Sequence, residues 1–328
     1  MTFAVPCAID AAVAEIDIWF VPVLLRPLLL LAASLLACPA AIAQDACPIE
    51  RFPDISVTFI RNHPAVPVGI NGTYVFFMLD TGASKTLVTP ATQARFKLPF
   101  DARFHDKMLG TGGSVTAPYV AVGRFEFSGQ TYINPTFPVL DINRSRQRNE
   151  PPDLFAGVIG GDFLRNYDVE LDFAHDVMRL YRRPPCYPPH PNWDTPYQSI
   201  EVRLSALNVL IVPVIVNGNP LRAVFDTGAA GTVLRLAALS GARIDPASLR
   251  SDKTVGTLGA GGLQGKAWLH RVQTLDVGRE HLASPLVWIE DFNLPVAEML
   301  LGESYIQARK IWLAYSANLM FVELPPVR

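Results

Sequence analysis

Asp80-Thr81-Gly82-Ala83 and Asp226-Thr227-Gly228-Ala229 are the same four residues written twice, 146 positions apart. At average composition a single Asp-Thr-Gly is expected about 0.06 times in a chain of this length. A tight turn capped by Asp explains a polar residue after an apolar run. It does not explain Thr-Gly-Ala following that residue both times. Two carboxyls held side by side cannot both ionise cheaply, so they share one proton. The ionised member can then take a proton from water while the protonated member donates one. Asp80 and Asp226 are therefore the candidate catalytic residues.

The segments around these residues repeat as well. Val66-Pro67-Val68-Gly69-Ile70-Asn71-Gly72 leads to Asp80, and Val212-Pro213-Val214-Ile215-Val216-Asn217-Gly218 leads to Asp226 at the same offset. Thr86 and Thr232 keep that offset too. Asn-Gly between apolar runs is a strong hairpin signal, because both residues tolerate positive φ. Each Asp is thus expected at the end of a hairpin's second strand, on a turn that Gly82 or Gly228 permits. Glycine-rich patches follow in both copies, Gly110-Thr111-Gly112-Gly113 and Gly259-Ala260-Gly261-Gly262. Val158-Ile159-Gly160 and Leu300-Leu301-Gly302 come next, each before a short helical-looking piece. Strand pairs over 169–181 and 310–322 close the copies. The first copy is longer between its patch and Gly160, and the Arg-rich stretch 144–153 reads as a surface loop. A loop that contacts substrate or regulates activity is the functional alternative there.

Together these motifs resemble the pepsin and retropepsin superfamily of aspartic proteases, over about residues 55–323. Asp-Thr-Gly-Ala is more similar to retropepsins and their bacterial relatives than to pepsins. The resemblance implies a mainly β, bilobal fold of two retropepsin-like β-barrel lobes related by a pseudo-two-fold axis. It implies an aspartic endopeptidase in which a water activated by Asp80 and Asp226 attacks a peptide carbonyl. Thr81 and Thr227 would bond across the lobe interface, and Gly82 and Gly228 would let backbone amides reach the carboxylates. Gly110, Thr111, Gly112 and Gly113, with Gly259, Ala260, Gly261 and Gly262, would form flap tips over an extended polypeptide substrate. No cofactor or metal is implied. Both acids lie in one chain, so a monomer suffices. Ala83 and Ala229 stand where pepsins place a hydroxyl, which implies a working range that is weakly acidic to neutral.

Four segments follow: a leader over 1–43, a first lobe over 44–183, a proline-rich linker over 184–198 and a second lobe over 199–328. Arg26, the apolar run Leu28 to Ala37 and Ala41-Ile42-Ala43 have the order of a cleaved export signal. A retained membrane anchor and a lipoprotein acylated at Cys38 are the alternatives, and acidic residues before Val21 suggest a start downstream of Met1. Removing the leader brings acidic and basic residues into balance. A periplasmic or secreted protein is expected, with a membrane partner only if the leader stays. Cys47 and Cys186 are then expected to pair, two unpaired thiols being the alternative.

Composition narrows the rest. Half of the 328 residues are hydrophobic and 18% are charged, which suits a large core. A net charge of −2 gives no attraction to nucleic acid. There is no Gly-x-Ser-x-Gly for a serine hydrolase, and the glycine patches lack the βαβ setting of a nucleotide loop. A protease-like module that binds peptides without cutting them, and lobes that pair between chains, stay open as rivals.

Overall fold

The computed structural model describes residues 48–110, 113–142, 154–188, 190–258 and 264–324. The leader, Cys47 and with it the Cys47–Cys186 pairing, the loop 144–153, and the tip residues Thr111, Gly112, Gly259, Ala260, Gly261 and Gly262 lie outside the described residues.

The chain is mainly β and bilobal, and each half is built around one hairpin. In the first half His63–Ile70 pairs antiparallel with Thr73–Leu79, Ile70 opposite Thr73. In the second half Leu210–Val216 pairs with Asn219–Phe225, Val216 opposite Asn219. The turns are Asn71-Gly72, with φ of 50° and 82°, and Asn217-Gly218, with φ of 50° and 77°. Two consecutive left-handed residues give the turn whose twist matches that of the strands it joins.

The second strand of each hairpin then gains a parallel neighbour from far along the chain. Gly157–Ile159 lies beside Phe77 to Leu79, and Met299–Leu301 beside Ala223 to Phe225. Both added strands are buried throughout, as apolar triplets in a sheet covered on two faces must be. A short helix follows each, Gly161–Leu164 and Glu303–Ile306.

Between hairpin and returning strand, each half sends out a long antiparallel pair. Phe100–Gly110 pairs with Gly113–Ala121, with Gly110 directly opposite Gly113. Lys253–Leu258 pairs with Gln264–Arg271. Gly110 and Gly113 of the first glycine-rich patch stand at the end of the first pair.

The closing strands do not stay within their own halves. Asp168–Asp172 pairs antiparallel with Lys310–Ala314, placing Val169 opposite Leu313 and Leu171 opposite Ile311. Val177–Arg182, Leu319–Glu323, Tyr197–Glu201, Glu50–Arg51 and Ile55–Ser56 complete a seven-stranded sheet drawn from both halves. The proline-rich segment is tied to this sheet by Trp193, whose Nε1 donates to Glu170 Oε1 at 3.3 Å. Glu170 is buried and well supplied with donors. It also accepts from Tyr181 Oη at 2.8 Å and Arg179 Nη1 at 3.1 Å, and Lys310 Nζ lies 3.4 Å away. The main apolar core is continuous across the halves, from Val66, Phe77 and Ile159 through Leu171 and Ile311 to Phe225 and Leu301.

Candidate active site

Each hairpin delivers its Asp at a strand end, and the backbone around it is fixed by the returning strand. Asp80 N–H donates to the Ile159 carbonyl at 3.1 Å, and Asp226 N–H to the Leu301 carbonyl at 3.0 Å. The turn then folds back on the side chain. Asp80 Oδ1 accepts from Gly82 N at 2.9 Å and Ala83 N at 2.8 Å. Asp226 Oδ1 accepts from Gly228 N at 2.9 Å and Ala229 N at 3.1 Å.

The two threonines lock these turns together. Thr81 Oγ1 donates to the Phe225 carbonyl at 2.8 Å and accepts from Thr227 N at 3.0 Å. Thr227 Oγ1 donates to the Leu79 carbonyl at 2.7 Å and accepts from Thr81 N at 3.0 Å. Both threonines are fully buried, so each hydroxyl answers backbone groups that would otherwise have no partner.

This clasp brings each carboxyl against the other half's turn. A Cβ added at Gly82 would lie 2.3 Å from Asp226 Cγ, and one at Gly228 would lie 2.4 Å from Asp80 Cγ. Close approach is thus the reason for glycine at both positions, and it corrects the expectation from turn geometry. Neither Gly82 nor Gly228 has a positive φ. Each glycine lies flat against the other half's carboxyl because no side chain fits between.

The carboxyls are half-buried and close enough that each shifts the titration of the other. Burial raises Asp80 above the ordinary carboxylate range, while the amides of Ala83 and Gly82 pull it back. Asp226 is raised well above that range by burial and by the neighbouring Asp80 charge, again against its own turn amides. The pair is therefore a proton-sharing unit whose two titrations belong to both acids. Such a unit presents one basic and one acidic oxygen to a molecule between them. No cluster of His, Cys, Asp and Glu fit to hold a metal occurs among the described residues.

Of the expected flap residues, Gly110 and Gly113 close the first long pair, opposite one another. The second pair ends its described register at Leu258 and Gln264.

Supports that the sequence did not reveal sit behind the turns. Asp162 Oδ1 accepts from Thr86 N at 2.6 Å and Thr86 Oγ1 at 2.8 Å, and Thr86 Oγ1 accepts from Gly160 N at 3.1 Å. In the second half Ser304 takes that place, accepting from Thr232 N at 2.9 Å and donating to Thr232 Oγ1 at 3.1 Å. The repeat of Thr86 and Thr232 was the available signal, and their partners lie more than 70 residues away. His63 and Glu303 also meet the Asp226 turn. His63 reaches the Gly228 backbone, and Glu303 N–H donates to the Ala229 carbonyl at 2.8 Å.

A family model described as aspartyl protease matches residues 66–163 and, a second time, residues 212–305. The two matches cover more than half of the chain, and each contains one of the two carboxyl-bearing turns. No curated protein matches the sequence.

Proposed function

This chain belongs to the aspartyl protease family, and from that membership we propose that it is an active endopeptidase whose catalytic pair is Asp80 and Asp226. The observation that carries the reading is the reciprocal approach of the two turns, with each glycine against the opposite carboxyl. An inactive binding module would need neither the contact nor the shared proton.

The reaction follows from the pair. The ionised carboxyl takes a proton from a water held between the acids. The hydroxide oxygen adds to the peptide carbonyl carbon, while the protonated carboxyl gives its proton to the carbonyl oxygen. A proton then passes to the amide nitrogen and the C–N bond breaks, releasing a carboxylic acid and an amine. Water is the only co-reactant, and no covalent enzyme intermediate forms. The two long strand pairs, Phe100–Gly110 with Gly113–Ala121 and Lys253–Leu258 with Gln264–Arg271, suit an extended polypeptide, bound through its main chain. One chain supplies both acids, which supports a monomer as the active unit. The leader-like segment before residue 44 supports a periplasmic or secreted setting.

The test is cleavage of a mixed peptide library by the purified protein. Wild type is expected to cut, and Asp80→Asn and Asp226→Asn are each expected to lose about 10³-fold or more in kcat. Folded wild-type protein that cuts nothing from pH 3 to 8 would overturn the proposal.

A further inference from the structure

The two halves differ most tellingly beside one of the two turns. Among the described residues, four buried side-chain atoms lack a hydrogen-bond partner: His63 Nδ1, both carboxyl oxygens of Glu303, and Tyr315 Oη. Three of the four belong to residues that lie against the Asp226 to Ala229 turn. His63 opens a strand of the first half and reaches the Gly228 backbone. Glu303 opens a short helix of the second half, holds the Ala229 carbonyl through its own N–H, and is only 2% exposed.

The Asp80 turn has neither group. Val209 stands in the second half where His63 stands in the first, and Gly161 stands where Glu303 does. Gly161 N–H makes the matching bond to the Ala83 carbonyl, at 2.7 Å. A Cβ on Gly161 would lie 2.0 Å from the Asn208 carbonyl oxygen. Asn208 precedes Val209 as Asn62 precedes His63, and both asparagines are left-handed, with φ of 61° and 64°. By this correspondence the side chain of Glu303 leaves its backbone toward the Asn62–His63 turn.

We propose that His63 and an uncharged Glu303 form a one-sided brace, positioning residues that hold the Asp226 turn in place, and that ionisation of Glu303 releases it. The proposal rests on the hydrolytic reading of the Asp80–Asp226 pair. A buried carboxylate with no donor is costly, so Glu303 keeps its proton, with burial pushing it up to about 8. Burial lowers His63, against a smaller opposing pull from its contact with Gly228. The other titratable groups brought to this place are Asp226 on the turn and Asp80 across from Gly228, with Arg61 at the exposed end of the neighbouring hairpin. None of these donates to the Glu303 carboxyl. When Glu303 gives its proton to solvent, its carboxylate is drawn toward water. The helix Glu303–Ile306 then carries Ala229 and the turn with it.

The test measures thermal midpoints, kcat and KM from about pH 6 to about pH 9.5. Glu303→Gln keeps the shape and cannot ionise. The wild-type midpoint is expected to fall more steeply across this range than that of Glu303→Gln, which keeps only the fall that the Asp80–Asp226 pair gives to both. At about pH 9 the kcat of Glu303→Gln should exceed that of wild type by about threefold or more, at similar KM. His63→Val, the residue of the other half, should lower kcat by about fivefold at similar KM, and His63→Gln, which keeps an N–H toward Gly228, should restore most of it. Parallel midpoint curves for wild type and Glu303→Gln, or equal losses for the two His63 variants, would overturn the brace. If wild type cuts no peptide at any pH, the hydrolytic reading fails, and the midpoint curves still decide whether Glu303 holds the turn.

Discussion

At the scale of single residues, the dyad is held at a cost to stability. An acid whose folded pKa lies above its unfolded value contributes stability that is fully present below the unfolded value and is lost as pH rises through the folded one. Asp226 is such an acid, raised by burial and by Asp80. Asp226→Asn is therefore expected to abolish cleavage and, at pH 7, to unfold at a higher temperature than wild type. The gap should close toward about pH 3, where wild type carries the proton in both states. Calorimetry over that range, beside the peptide assay, separates lost chemistry from lost folding. Thr227→Ala acts in the opposite sense. It strips the Leu79 carbonyl of a donor and Thr81 N of an acceptor in a fully buried place. A loss of roughly 3 kcal/mol is expected, with Thr227→Ser recovering most of it in denaturant titrations. Asp80 and Asp226 were legible because their motif recurs intact. Glu303 was not, because an acid just after a glycine reads as the exposed first turn of a helix.

At the scale of elements, the hairpins were the easiest part to read. Asn71-Gly72 and Asn217-Gly218 announce both turns, and the strands start and stop around them as the apolar runs do. Gly72→Ala or Gly218→Ala, at φ near 80°, should each cost about 1 kcal/mol in equilibrium unfolding without altering kcat. Val158-Ile159 and Leu300-Leu301 were visible as repeated apolar pairs before a glycine, but that they form parallel strands was not, since so short a run carries no sign of its neighbour. Nor was the latch that seats them. Asp162→Ala frees a backbone N–H and a hydroxyl of Thr86 beside the Asp80 turn. It should cost roughly 2 kcal/mol and lower kcat more than KM rises, while Ser304→Ala, which removes a neutral partner, should do less in the same assays.

At the scale of the whole molecule, the duplication foretold two halves and the sheet shows how they are joined. Sequence periodicity marked the closing strand pairs but gave no register across the junction, where Val169 meets Leu313. That junction also explains a buried acid that composition left unremarked. Glu170 answers Arg179, Lys310, Tyr181 and Trp193 at once. Glu170→Ala takes the acceptor from Tyr181 Oη and Trp193 Nε1, while the half-buried Arg179 and Lys310 keep Asp172 nearby, and should cost about 1–3 kcal/mol. Both halves should still unfold in one transition in guanidinium, because their core is continuous.

The strap from Arg183 to Tyr197 carries the chain from one half to the other, yet strands on either side of it already pair across the junction of the shared sheet. A nick in that strap beyond Cys186 would leave two polypeptides that migrate apart in denaturing, reducing gels and travel together in native ones. Such a severed molecule would still present both acids to its substrate, as a heterodimer made from a single gene product.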